Sequence, residues 1–169
     1  VVYGSEDSAP TYMTYAELWE RTEEAAAGLR ALGVQRGDKI VAYMPNIPET
    51  LVAFLATASI GAVWSSCPPE FGISSVVDRF QQLEPKVLLA VDGYRYAGKS
   101  FDSIPSVRDI QSQLPTLETT VIFPYLDGHP GISDLGKAKL WGEVLVPGQE
   151  LTFEPVPFDH PLWVLYSSG

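Results

Sequence analysis

The sequence has little positive charge. Its 11 lysines and arginines stand against 21 aspartates and glutamates, which gives a formal net charge of −10. Sequence-independent binding to nucleic acid or to anionic lipid needs a basic surface, so this charge disfavours both classes of partner. A small anion needs only a local basic pocket, and that remains compatible with the composition.

Cysteine and long apolar runs are scarce as well. The single cysteine, Cys67, cannot form an intramolecular disulfide or a cysteine-based metal cluster, and we expect it to be a small buried hydrophobic residue. No apolar run approaches the roughly 18 residues that span a membrane, and no basic-then-apolar leader opens the chain. These features favour a cytoplasmic protein in a reducing setting.

What the sequence does contain is enough apolar material for one ordinary domain, with 46% hydrophobic residues over 169 positions. A short hairpin is expected before Thr14, and Thr14 with Glu17 forms a capping box that begins a helix closed by Gly33. Predicted strands then alternate with predicted helices: strands at 39–44, 62–66, 86–91, 119–123 and 162–166, helices at 49–60, 74–83, 104–114 and, more weakly, 135–146. This alternation predicts an α/β fold with a parallel sheet covered by helices on both faces.

The residues that follow the predicted strand 86–91 match a phosphate-binding pattern. Gly93, Gly98, Lys99 and Ser100 reproduce every letter of a Walker A loop. In such a loop the backbone N–H groups close around phosphate oxygens and the lysine reaches the terminal phosphates. The motif alone predicts a P-loop nucleotidase that uses residues 93–100.

Local sequence argues against that interpretation. A Walker lysine opens a long helix, but Pro105 would break it by clashing with the carbonyl of Phe101. Ser103 followed by Ile104 and Pro105 is itself typical of a new helix start, with Ser103 as N-cap. We therefore expect 92–102 to be a loop that carries Arg95 and Lys99. The nucleotidase hypothesis stays open at this point, and it requires one unbroken helix over 98–110.

A second candidate anion loop lies at the other end of the chain. The predicted buried strand 162–166 leads into Ser167, Ser168 and Gly169, whose hydroxyls and backbone N–H groups could converge on phosphate oxygens. When such a tripeptide stands alone, it more often forms an ordinary turn than an anion loop. A non-catalytic interaction module is a further alternative, and it predicts an exposed apolar patch.

Other chemistry-bearing residues carry less information. His129 and His160 precede prolines and are expected in exposed loops. Asp78 and Arg79 predict a surface ion pair within a helix. The three tryptophans that we expect in packed positions are Trp64, Trp141 and Trp163.

Several motifs together resemble the acyl-adenylate-forming synthetases, which activate a carboxylate with ATP as an acyl-AMP and pass the acyl group to a thiol. The similarity rests on 13–18, on 41–48 with 58–63, and on Tyr166-Ser167-Ser168-Gly169, the first four positions of the family's phosphate-binding signature. Within the family, 64–67, 70–72, 78–80 and 84–86 look most like short-chain acyl-CoA synthetases of the acetoacetyl-CoA type. Acetyl- or propionyl-CoA synthetases are the near alternative.

The resemblance also implies roles for particular residues. Arg95, Gly98 and Lys99 match a loop that holds the phosphates of coenzyme A, and Ser167, Ser168 and Gly169 would begin the ATP phosphate loop. ATP, Mg²⁺ and coenzyme A are the implied cofactors, and a small-molecule carboxylate is the implied substrate. No catalytic residue is expected within this chain. Residues 1–169 would form a single incomplete domain, the front part of the large N-terminal domain, which is expected to be inactive alone.

Overall fold

The computed structural model describes residues 1–5 and 8–167. Its strands are β1 (Val2–Ser5), β2 (Ser8–Tyr12), β3 (Lys39–Tyr43), β4 (Val63–Cys67), β5 (Val87–Val91), β6 (Gly93–Tyr96), β7 (Lys99–Asp102), β8 (Thr119–Phe123) and β9 (Ala138–Leu140). Its α-helices are α1 (Tyr15–Ala31), α2 (Pro48–Ser59), α3 (Ile73–Phe80), α4 (Ile104–Ser112) and α5 (Trp141–Val144). β1 and β2 form the hairpin expected before Thr14.

Five of the strands form one parallel sheet in the order β4-β3-β5-β8-β9. Counted along the chain within this sheet, the order is second, first, third, fourth, fifth. The direction of strand progression therefore reverses between β3 and β5. In open α/β sheets, ligands bind beyond the carboxyl ends of the strands at such a reversal.

Helices cover both faces of this sheet, which confirms the predicted fold class. Ala42 and Leu89 face a core that contains Ala25, Leu29 and Ala53 from α1 and α2. The neighbouring positions on the same strands face a second core shared with α3 and α4, formed by Val41, Leu88, Ile122, Val76, Phe80, Val107 and Ile110. Strands buried on both faces must be apolar at every position, as the continuous run of β5 is.

The predicted capping of α1 is confirmed. Thr14 N donates to Glu17 Oε2 at 2.7 Å, and Glu17 N donates to Thr14 Oγ1 at 3.1 Å. Gly33 follows the helix with a φ of +84°, a conformation that glycine adopts without a steric penalty. Gly28 lies against the carbonyl of Val144 so closely that any β-carbon there would collide with it. This contact brings α5 onto α1.

Two helix predictions need correction. Residues 135–146 do not form one helix, because β9 pairs with β8 and α5 is only one turn long. Lys137, with a φ of +64°, interrupts any helix just before β9. The helix predicted at 74–83 begins earlier, at Ile73 after Gly72, and continues from Phe80 as a 3₁₀ turn over Gln81–Leu83. Its N-cap is Gly72, which has no side chain to offer a capping hydrogen bond.

The segment 162–166 is extended but is not the buried strand that we predicted. Trp64 N donates to Leu162 O at 3.0 Å, and Val164 N donates to Trp64 O at 2.8 Å, so the segment runs parallel to β4 along the edge of the sheet. Three of its five side chains are nevertheless exposed, Leu162, Trp163 at 44% and Leu165 at 74%, while Val164 and Tyr166 are half-buried. Because residues 162–166 lie at the edge of the sheet, they pair with β4 on one side only. Trp64 and Trp141 are buried as predicted, whereas Trp163 is not.

Cys67 ends β4 as a buried residue, as predicted, and burial raises the pKa of its thiol. Within the described parts of the chain, the helices are too short or too polar to cross a membrane.

Candidate functional site

The carboxyl ends of β3, β4, β5 and β8 meet at one edge of the sheet, because all four strands run in parallel. We call this the carboxyl edge. Three features collect there: the loop 68–72 after β4, the segment 93–102 after β5, and the loop 124–127 after β8. The strand reversal between β3 and β5 makes this edge the expected ligand position.

The segment after β5 is a β-hairpin, in which β6 pairs with β7, and not the loop predicted for 92–102. Ala97 and Gly98 form its two-residue turn with φ values of 51° and 71°, as type I′ turns require. Residues 98–110 are therefore not one helix, since β7 ends before α4 begins. The P-loop nucleotidase hypothesis is wrong for this reason.

The two glycines of the Walker-like motif have roles in the hairpin itself. A β-carbon at Gly93 would collide with the carbonyl of Phe101 and with the side chain of Leu126. Gly98 has open space around its Cα but a left-handed φ. Close packing explains the first glycine and turn geometry explains the second.

Arg95 and Lys99 both lie exposed on this hairpin, but on opposite faces of it. The register pairs Arg95 with Ser100 and Tyr96 with Lys99. Because paired residues share a face and successive residues alternate, Lys99 lies on the face of Tyr96 and Arg95 on the face of Ser100. Tyr94 and Phe101 stack at 5.0 Å on the Lys99 face. The planar guanidinium of Arg95 and the ammonium of Lys99 therefore lie on the two opposite faces of the hairpin.

Asp92 fixes the base of the hairpin. Its buried carboxylate accepts hydrogen bonds from the backbone N–H groups of three consecutive residues, Tyr125 at 2.6 Å, Leu126 at 2.9 Å and Asp127 at 2.7 Å. Its carbonyl accepts from Ser103 N at 2.8 Å. Our sequence interpretation missed this role, although a lone acid directly after a fully apolar strand is a signal for a buried carboxylate with specific partners.

Asp102 contributes the cap of α4. Its Oδ1 accepts from Ile104 N at 2.9 Å. Ser103 stands at the predicted N-cap position, but its side chain makes no capping hydrogen bond. The Ser103 hydroxyl is buried without a hydrogen-bond partner among the described residues.

Tyr43, at the end of β3, holds the loop 68–72 in place. Its hydroxyl donates to Pro69 O at 2.6 Å, with Phe71 O at 3.2 Å. Burial, with smaller contributions from Tyr94, Glu70 and Cys67, raises the pKa of Tyr43 to about 12. The hydroxyl therefore remains a donor at physiological pH. Tyr94 of the hairpin and Glu70 of the loop 68–72 both lie close enough to Tyr43 to raise its pKa.

Arg79 on α3 is not the surface ion pair that we predicted with Asp78. Its Nη1 donates to Ser75 O at 2.7 Å and also to Ser75 Oγ. Its guanidinium carbon lies 5.4 Å from the ring centroid of Phe71 and 5.8 Å from that of Tyr166. Tyr166 in turn donates its hydroxyl to Arg79 O at 2.5 Å. Burial raises the pKa of the Tyr166 hydroxyl, and Arg79 opposes this.

Of the predicted ATP loop, the structure describes only the beginning. Ser167 is exposed directly after Tyr166, while Ser168 and Gly169 lie outside the described residues. Val164 O accepts from the buried Ser65 Oγ at 2.9 Å, which attaches the preceding residues to β4. The structure therefore places Tyr166 beside α3 and the loop 68–72.

The remaining candidates do not form a site. His129 is exposed, as predicted, whereas His160 is half-buried with its Nε2 2.8 Å from Gly61 O. Over residues 1–5 and 8–167, no three His, Cys, Asp or Glu side chains are arranged to hold a metal ion.

Comparison with known proteins connects this geometry to a family. The model of the AMP-binding enzyme family matches residues 1–169. The chain is 39% identical to an acetoacetyl-coenzyme A synthetase of Rhizobium meliloti (strain 1021), over 100% of this chain and 26% of that protein. It is 38% identical to an acetoacetyl-CoA synthetase of Xenopus tropicalis, over 93% of this chain and 25% of that protein.

A solved structure supports the same relationship. Acetoacetyl-CoA synthetase from Streptomyces lividans matches with a TM-score of 0.92 and 48% identity, over 99% of this chain and 25% of that one. The chain thus spans about a quarter of the length of the relatives that it matches. A nucleotidase of the P-loop type and a non-catalytic module are both disfavoured by these matches. By the match along its whole length, the chain belongs to the AMP-binding enzyme family.

Proposed function

We propose that this chain is part of an AMP-forming acetoacetate–CoA ligase. The carboxylate of acetoacetate would attack the α-phosphorus of ATP and release pyrophosphate, and the thiol of coenzyme A would then attack the acyl carbon and release AMP. The observation that carries the proposal is the 48% identity to a solved structure named acetoacetyl-CoA synthetase, spread over nearly all of this chain. Catalysis of such reactions depends mainly on positioning and on neutralising phosphate charge.

In this proposal residues 1–169 are the front part of the large N-terminal domain. The chain contributes binding residues, and the catalytic residues belong to the remainder of the enzyme. This chain alone is expected to form no acyl-AMP, and an adenylation assay on it would overturn that expectation by detecting turnover.

Arg95 and Lys99 are the proposed contacts for the phosphates of coenzyme A, supported by Gly98, which allows the tight turn between them. The fit rests on donor chemistry, because a guanidinium fork and an ammonium suit phosphate oxygens. Since the two cations lie on opposite faces of the hairpin, we expect each to meet a different phosphate of the coenzyme. Coenzyme A supplies the acceptor thiol, and these residues orient its phosphates.

Ser167, Ser168 and Gly169 are the proposed start of the ATP phosphate loop. Ser167 is exposed at the end of a segment tied to both β4 and α3, which suits a hydroxyl that must meet a ligand. Mg²⁺ would accompany ATP and neutralise its charge. The described residues provide no three-acid group for it, so no role in holding the metal is assigned to them.

The CoA assignment is tested in the full-length enzyme with Arg95→Gln and Lys99→Gln. Each change should raise the KM for coenzyme A by about 5- to 10-fold while acetoacetate-dependent pyrophosphate–ATP exchange is unchanged. Lys139→Gln, on the exposed residue of β9, is the matched control and should alter neither assay. Equal losses in both half-reactions would contradict the assignment.

The substrate assignment is tested by comparing kcat/KM for acetoacetate, acetate and propionate. We expect acetoacetate to be preferred, and a higher value for acetate or propionate would replace the proposal with the near alternative.

Cytoplasmic localisation stays a prediction from the sequence, which cell fractionation tests.

A further inference from the structure

We propose that Arg79 is a positioning residue for ATP, which acts by fixing Tyr166 and thereby Ser167 at the start of the phosphate loop. The inference rests on the proposed function, because it takes Ser167–Gly169 as that loop. It assigns a role to a side chain on a different element, α3, which the motif does not include.

The first support is the geometry of Arg79 itself. Its Nη1 is held by Ser75 O and Ser75 Oγ, one turn earlier on α3, so the side chain lies back along its own helix. The guanidinium carbon then lies 5.4 Å from the ring centroid of Phe71 and 5.8 Å from that of Tyr166. Both distances fall within the range of cation–π attraction. One half-buried arginine therefore joins α3, the loop 68–72 and the segment before Ser167.

The second support is the hydroxyl of Tyr166. It donates at 2.5 Å to Arg79 O, a carbonyl in the last turn of α3, where backbone carbonyls lack partners within the helix. Tyr166 is thus fixed at two points by one residue, through its ring by the Arg79 side chain and through its hydroxyl by the Arg79 backbone.

The third support is the order of attachments along the segment. The backbone is held at Leu162 and Val164 by Trp64, and Val164 O is held by Ser65 Oγ. Tyr166 attaches the chain again, and the exposed Ser167 follows at once. An anchor adjacent to a ligand-binding hydroxyl restricts where that hydroxyl can lie, and a shift of about 1 Å in a binding group is enough to weaken transition-state contacts.

The test uses Arg79→Met, Arg79→Lys and Tyr166→Phe in the full-length enzyme. Met keeps much of the length of the side chain but removes the guanidinium, Lys restores a charge without the planar fork, and Phe keeps the ring but removes the hydroxyl. We expect the KM for ATP in pyrophosphate exchange to rise about 10-fold for Arg79→Met and about 3-fold for the other two. The KM for coenzyme A should stay within about twofold in all three.

A matched control is Arg108→Met on α4, which removes an exposed arginine that pairs with Asp134. It should change neither KM. The melting temperature is measured for every variant, since a merely structural role for Arg79 would lower it and reduce both half-reactions in parallel, with the KM for ATP unchanged. That outcome would overturn the inference. Tyr166→Phe keeps the test decisive if Arg79→Met fails to fold.

Ser167→Ala separates this inference from the proposed function. If Ser167→Ala raises the KM for ATP while the Arg79 and Tyr166 variants do not, the loop assignment stands and the positioning role is overturned. If Ser167→Ala leaves the KM for ATP unchanged, the loop assignment fails and the inference fails with it. A rise in all the variants supports the role of Arg79.

Discussion

Two glycine-containing segments of this chain match phosphate-binding patterns, and their structures differ. The segment 93–100 carries every letter of a Walker A loop, yet it is a hairpin whose backbone groups pair with one another. The segment that begins at Tyr166 carries only four letters of a different signature; residues 162–166 leading into it lie beside β4 and α3, and Ser168 and Gly169 are outside the described residues. A backbone N–H that already pairs within a ladder is not available to a phosphate. Whether such a segment can bind phosphate therefore depends on its backbone conformation after the strand, and a match to the motif alone is not sufficient.

The two segments also differ in what holds them. The hairpin is stabilised at its base by Asp92, which directly precedes it, and by the close packing of its own first residue, Gly93. The second segment is held by Ser65 and Arg79, which are distant in sequence. This contrast can be tested by removing the attachments one at a time and measuring local stability by native-state hydrogen exchange in the full-length protein.

The largest effect is expected for Asp92→Asn. The change removes the charge that three backbone N–H groups bind, and its NH₂ group cannot accept a hydrogen bond. We expect a loss of about 3 kcal/mol in the exchange free energy of the peptide 119–128. Asp134→Asn, an exposed partner of Arg108, should change it by less than about 0.5 kcal/mol. Equal effects of the two substitutions would mean that Asp92 does not fix the hairpin base.

Next in size is Gly93→Ala. Its methyl group would collide with Phe101 O and Leu126, and we expect a loss of about 2 to 3 kcal/mol in the free energy of unfolding around the hairpin. Gly98→Ala has open space and meets only the left-handed φ, so we expect about 1 kcal/mol. Urea denaturation monitored by hydrogen exchange of residues 93–102 measures both. A larger loss at Gly98 than at Gly93 would contradict the packing explanation.

A pH-dependent effect is expected from Tyr43. Its pKa is about 12 in the folded protein against an ordinary 10.0, so the fold favours the protonated form. This contribution is fully present below pH 10 and is lost as the pH rises from 10 to 12, by on the order of 2 kcal/mol.

Tyr43→Phe should therefore lower stability by about 1 to 2 kcal/mol at pH 7, because Pro69 O loses its donor, and should flatten the decline above pH 10. Tyr3, with a pKa also near 12, contributes in the same window, so the measured quantity is the difference between the wild type and the variant. Tyr12→Phe, at an exposed position, is the control. A parallel alkaline decline in wild type and Tyr43→Phe would be evidence against the assignment.

The smallest effect is expected for Ser65→Ala. Only the hydrogen bond to Val164 O is lost, which should accelerate exchange in the peptide 162–167 by the equivalent of about 1 kcal/mol. The hairpin peptide 93–102 should be unaffected, since its attachments are elsewhere. A change in the hairpin of the same size would show that the two segments are not held independently.

The sequence was sufficient where local chemistry determines the structure. The capping box of Thr14 and Glu17, the apolar run of β5 and the break at Pro105 each concern residues within one or two turns of one another, and the structure confirms the elements that they predicted. The α/β alternation likewise required only periodicity.

Predictions failed where tertiary neighbours decide. Residues 138–140 become a strand because β8 offers an edge, and a helix-like pattern carries no information about that edge. Residues 162–166 are as apolar as a core strand but lie at the border of the sheet. The partners of Asp92 and Arg79 come from other loops, so their roles could not be seen from nearby sequence. The separation of Arg95 and Lys99 onto two faces depends on a two-residue turn whose first residue, Ala97, is an unusual choice for a left-handed φ.

The hydrogen bond from Ser65 to Val164 joins residues 99 positions apart. Contacts of such long separation require the closure of a long loop, which costs conformational entropy and slows folding. On the ribosome, moreover, β3, β4 and β5 are made well before residue 162 emerges, so these three strands can pair first. The segment that leads into the proposed ATP loop would then pair with strands that are already formed. The position of the loop would therefore be set by the sheet, and the sheet would not depend on the loop to fold.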